Sequence, residues 1–161
     1  MKHTMNLHDD GRFEPEPGLA LWPGMRAAEL LAQGVGWEEW LHHEGHPVAW
    51  RKVFDARGGK KPEKTVLIVT FAGAGGPLAR WDIAPWHLMD GEQRGPDGPH
   101  TRALREWFQR RHGVVLPAGG EWGHVDAAHD PHNQVSLVVC DLREGFASER
   151  DWQAFRNRHA R

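Results

Sequence analysis

Residues 99–142 constrain the fold most, because the apolar period changes there from helical to strand-like within a few residues. The first part, PHTRALREWFQRRHG, puts Leu104, Trp107, Phe108 and Arg111 on one stripe of a helix. Pro99 suits a first helical turn and Gly113 a C-terminal stop. Arg111 and His112 near that end complement the helix dipole. The second part, GGEWGHVDAAHDPHNQVSLVVCDL, reads as two strands around a type I turn. Asp130 opens that turn, Pro131 pre-sets its backbone and Asn133 closes it. A helix feeding a hairpin calls for a sheet on which the helix can bury its stripe.

Earlier segments supply the rest of that sheet. In HPVAWRKVFDA, Val48, Trp50 and Phe54 alternate with Ala49, Arg51 and Asp55. VLIVTFA at 66–72 is a continuous β-branched run, as expected of a strand covered on both faces. PLARWDIA alternates Leu78, Arg80 and Asp82 with Ala79, Trp81 and Ile83, after an AGAGG hairpin turn. Met25, Ala28, Leu31 and Ala32 have helical spacing, with Gly34 as the stop. GWEEWLHHEGH predicts a short second helix, with Trp37, Trp40 and Leu41 on one face. Ser148 with Asp151 resembles a capping box opening a last helix, with Trp152 and Phe155 on its apolar edge. Residues 1–18 read as a flexible N-terminal arm and 19–161 as a single domain. The expected class is α+β: an antiparallel sheet of about five strands with helices packed mainly on one face.

Composition bounds the function. A chain of 161 residues can bury a core without staples. Cys140 is the single cysteine, so neither an internal disulfide framework nor a cysteine-based zinc site can form. No apolar run reaches the ~18 residues of a membrane span, and the opening residues show no secretory leader. These features point to a cytoplasmic protein with no membrane partner. The formal net charge of −2 argues against a nucleic-acid partner. Arginines gather on the Pro99 helix and near the C-terminus, where they read as solvated faces.

Chemistry is sparse. His124, Asp126 and His129 could together hold a divalent metal, which would make a small metal-dependent enzyme. No second ligand-bearing helix accompanies them, and the turn reading explains the same residues. GAGG at 73–76 follows a strand, but Pro77 and another strand come next, not the helix a phosphate loop requires. No serine lies in a nucleophile elbow. No cofactor is expected. Nine tryptophans and no tyrosine leave room for one or two exposed indoles. The segment Pro85–Gly98 is too rich in glycine and proline for a regular element. Its Trp86, His87, Asp90 and Glu92 are the candidate partner-binding residues.

Three stretches carry a resemblance: VLIVTFAGAGGPLARWDIAPW, TRALREWFQRRHGVVLP and EWGHVDAAHDPHNQVSLVV, together spanning about residues 65–139. In pattern and size the chain resembles small bacterial immunity proteins that neutralise toxins delivered by contact-dependent or type VI secretion. The resemblance implies a non-catalytic cytoplasmic protein that binds one cognate protein toxin, often by covering its active site. Acidic and aromatic groups in the Pro85–Gly98 segment would suit a basic toxin.

Overall fold

The computed structural model describes residues 6–56, 61–91 and 98–159. In chain order the strands are β1 (Phe13–Glu16), β2 (Leu19–Leu21), β3 (Glu38–His43), β4 (His46–Ala56), β5 (Glu63–Phe71), β6 (Leu78–Pro85), β7 (Ala118–Gly120), β8 (Gly123–Asp130) and β9 (Val135–Leu142). The helices are α1 (Ala27–Leu31), α2 (Trp86–Met89), α3 (Pro99–His112) and α4 (Glu149–His159). β1 and β2 form a small hairpin, and the other strands form one seven-stranded sheet in the order β3-β4-β5-β6-β9-β8-β7. Every pairing in both sheets is antiparallel. The expected class therefore stands and the expected count of about five strands is corrected. β3, the β1–β2 hairpin and the short edge strand β7 were the missing elements.

Register separates the two faces of the sheet. Trp50 lies opposite Val69, Val69 opposite Trp81, and Trp81 opposite Cys140. Directly opposed residues share a face, so these four side chains point the same way, into the buried core. α3 packs on that face through Thr101, Leu104, Trp107, Phe108 and His112, all buried. The expected stripe is right except at its end: His112 is buried where Arg111 was placed. Gly113 takes φ 72° as the left-handed cap, and its N–H donates to the Gln109 carbonyl.

The N-terminal segment belongs to this core from Leu7 onward, which corrects the arm expected over residues 1–18. Leu7 and Phe13 are buried, and Phe13 stacks on Trp81 with centroids 4.4 Å apart. Trp81 in turn stacks on Phe108 at 6.4 Å. The Asn6 N–H donates to the His112 carbonyl at 3.2 Å, tying the segment to the end of α3. Residues 1–5 lie outside the described residues.

Three further expectations change. The helix predicted around Trp37–Leu41 is strand β3, exposed along its whole length. Trp37, just before it, and Trp40 within it happen to satisfy a helical spacing, but a strand open on both faces has no period-2 burial to display. The HHEGH group spans the end of β3, a two-residue turn and the start of β4, with Glu44 at φ 51° and Gly45 at φ 81° in the turn. On α1 the buried residue is Leu30, while Leu31 is exposed. Between β5 and β6, Phe71 faces Leu78 while Thr70 faces Arg80, so Ala79 is a bulge. That extra residue lets both Leu78 and Trp81 reach the core, which strict alternation forbids.

α4 takes the opposite face at the β8–β9 end. His124, whose neighbour Val125 is in the core, has its ring 5.7 Å from Phe155 and 4.7 Å from His159. Ser148 caps α4 by accepting from the Asp151 N–H at 3.1 Å, as its sequence implied.

Candidate functional site

The described residues that follow β6 carry more structure than their composition implied. Trp86–Met89 is a single helical turn, Asp90 bridges to Val135, and the Gly91 N–H donates to the Gln134 carbonyl at 3.1 Å. The start of the Pro85–Gly98 segment, residues 86–91, is thereby laid beside the β8–β9 turn, and the two stretches singled out from sequence become neighbours there. Trp86, His87 and Asp90 are exposed there, and Glu92 lies outside the described residues. The turn is held as expected. Asp130 Oδ1 accepts from the His132 N–H at 2.9 Å, and Oδ2 accepts from the Asn133 amide at 2.7 Å. The Asn133 amide and these N–H groups hold the Asp130 carboxyl below its usual range.

His124, Asp126 and His129 do not converge. Asp126 is clamped by Arg105, whose Nε and Nη2 donate to its two oxygens at 2.9 and 3.1 Å. His129 Nδ1 is 2.6 Å from Ser136 Oγ. His124 is covered by Phe155 and His159, and burial, helped by His159, lowers its pKa. Among the described residues no three His, Cys, Asp or Glu side chains are placed to hold a metal. The Arg105–Asp126 pair, each less than one third exposed, instead pins α3 to the edge of β8. Asp126→Asn should cost about 1–2 kcal/mol in a urea titration. Added zinc should leave the melting temperature of the wild type where it is; a rise of several degrees would restore the metal reading.

The side-chain arrangement that sequence reasoning missed lies on the sheet face away from the core. Arg51, Val53 and Asp55 of β4 lie opposite Ile68, Val66 and Lys64 of β5. All six point away from Trp50, Leu67 and Val69. The Arg51 guanidinium sits 4.2 Å above the Trp40 ring and also pairs with Glu38. The Lys64 ammonium sits 3.9 Å above the Trp86 ring. Trp86, the one aromatic singled out from the loop, therefore leans onto this face. Trp40, Leu41, Val53 and Trp86 remain 43%, 51%, 37% and 39% exposed.

Further along the same face Arg80 and Asp82 pair at 2.7 Å. Burial raises the Asp82 carboxyl pKa, and the Arg80 guanidinium opposes that rise. Asp141, also raised by burial, continues this charged group toward α4. The face thus runs from exposed indoles under cations, Trp40 beside β4 and Trp86 beside β5, to an ion pair at β6 whose carboxylate is buried and whose guanidinium is half exposed. It has the make-up of a surface that binds another protein: aromatic anchors and arginine with charged surroundings.

The comparisons agree on one kind of protein. A family profile described as RhsI1 immunity protein matches residues 5–161. A solved structure described as "Rhs1-CT in complex with cognate immunity protein RhsI1" contains a chain 34% identical to this one, with a TM-score of 0.82. That match covers 92% of this chain and 93% of the other. No curated protein matches.

Proposed function

We propose that this chain, which belongs to the RhsI1 immunity protein family, neutralises the C-terminal toxin domain of a cognate Rhs protein by binding it directly. One observation carries the reading. The family match spans nearly the whole chain, and a 34% identical relative of the same fold is described in complex with its toxin domain. Binding needs no chemistry from the immunity protein, so the proposed action is non-catalytic and requires no cofactor. The cytoplasm of the producing cell is the proposed compartment, and type VI secretion the proposed route of the toxin. Trp86, His87 and Asp90 are proposed as part of the contact surface, because they are exposed and sit where the segment after β6 meets the β8–β9 turn.

The test is co-expression of this chain with the Rhs toxin domain encoded beside it. Cells producing the toxin domain alone should stop growing, and cells producing both should grow and yield a complex that co-purifies. A toxic domain that this chain neither binds nor restrains would overturn the proposal.

A further inference from the structure

We infer that the toxin-binding surface is centred on the exposed side chains that rim the β3–β5 part of the sheet face away from the core, around the buried Val66, as a strip running Trp40–Arg51–Val53–Asp55–Lys64–Trp86; this rests on the immunity reading above. The strip is built twice from the same unit. At each end an exposed indole lies under a cation, Trp40 under Arg51 at 4.2 Å and Trp86 under Lys64 at 3.9 Å. A cation over a ring face holds the ring in one orientation. Each large aromatic is then ordered before a partner arrives, which lowers the entropy lost on binding. Val53, 37% exposed, fills the middle of the strip. Arg51 and Asp55, four residues apart on one strand, set a separation of roughly 13 Å. That length fits the anchor region of an ordinary protein interface.

Charge says what the partner presents. The β3–β4 hairpin carries Glu38, Glu39, Glu44 and Asp55 against only Arg51 and Lys52. Both cations are engaged on indole faces, Lys52 lying 5.4 Å from the Trp37 ring. Within the strip the charges balance, Glu38 against Arg51 and Asp55 opposite Lys64, so the acidic excess is Glu39 and Glu44 on the same hairpin, and it suits a toxin surface with an apolar projection flanked by lysines or arginines. The outer edge of β3 is not the binding element. Its pairing with β4 is broken twice by register shifts, at Glu39/Leu41 and Leu41/His42, and such bulges turn an edge away from strand addition.

The test is the affinity of the purified full chain for the purified cognate toxin domain, by biolayer interferometry, for wild type and four variants. Trp40→Ala and Trp86→Ala should each weaken binding by roughly 30-fold or more. Val53→Arg should weaken it comparably by setting a cation against a basic surface. Val115→Ala, an exposed residue next to the far edge strand β7, should bind as wild type does. Association of the wild type should also slow as salt is raised. Circular dichroism melts identify any variant that loses its fold; the three strip residues are exposed enough for all to melt near wild type. Wild-type binding with full affinity in all three strip variants would overturn the inference and leave the immunity reading intact. Absence of wild-type binding would overturn the immunity reading itself. A homodimer that the strip variants dissociate, with toxin affinity unchanged, would assign the strip to self-association and overturn the inference.

Discussion

Replacing Phe13 with alanine should destabilise the protein by about 3–5 kcal/mol, the range for an aromatic removed from a packed core. Phe13 is fully buried and lies in a sandwich of rings: stacked on Trp81 at 4.4 Å, tilted against Phe108 at 5.8 Å and edge-on to His112 at 5.0 Å. Its loss leaves a void between β1, β6 and α3, three elements distant in sequence, so local collapse cannot refill it cheaply. A urea titration checks this. A change within ~0.5 kcal/mol, as for an ordinary surface substitution, would mean that the N-terminal segment is the loose arm its composition implies.

His112 should make stability depend on pH. Burial, with Arg111 adding to it, lowers its pKa from 6.5 to about 3. Nδ1 accepts from the Asn6 side-chain amide at 2.9 Å, while Nε2 is buried with no hydrogen-bond partner. The folded protein therefore keeps the ring neutral where the unfolded chain would protonate it. Between about pH 6.5 and 3 the unfolded state binds the extra proton, so stability falls as pH is lowered through that window and is unaffected above it. The slope from this one group is roughly 1.4 kcal/mol per pH unit. Asp82 and Asp141, both raised by burial, act in the opposite sense and favour the folded state as they protonate. Comparison with His112→Phe separates the contributions, since the variant retains both carboxyls. The stability of the wild type relative to His112→Phe should fall by about that slope from pH 6 to pH 4. Parallel pH curves would show that His112 is not held neutral by the fold.

What was readable in the sequence is what local physics decides. Pro99 and Gly113 bound α3, Ser148 caps α4, and Asp130 with Pro131 makes the β8–β9 turn. Each depends on residues within a few positions of one another. The strand at 66–72 was visible because a fully buried strand is apolar without interruption. The rest depends on distant partners. Phe13 is a lone aromatic among polar residues, and only Trp81 and Phe108, far along the chain, make it core. Strand β3 offered no alternation because none of it is buried. The bulge at Ala79 shifts the face of everything beyond it, and no turn residue marks it.

The candidate site divides the same way. Trp86 was singled out because it stands in an irregular segment, and it does lean onto the sheet face away from the core, against Lys64. Trp40 was assigned to a helix face, Arg51 to a strand's second face and Val53 to neither, because their grouping exists only once β3, β4 and β5 are paired. A tryptophan beside acidic residues on an element with no buried face was the signal that could have found them. His124, Asp126 and His129 drew attention by density in sequence, yet each is committed to a different neighbour.

The most direct measurement is calorimetric titration of the purified chain into the purified Rhs toxin domain encoded beside it, followed by assay of the toxin's activity across the same titration. Saturable binding at one immunity protein per toxin domain is expected, with activity lost in step with occupancy. A toxin domain that stays fully active in excess immunity protein, with no heat of binding, would contradict it.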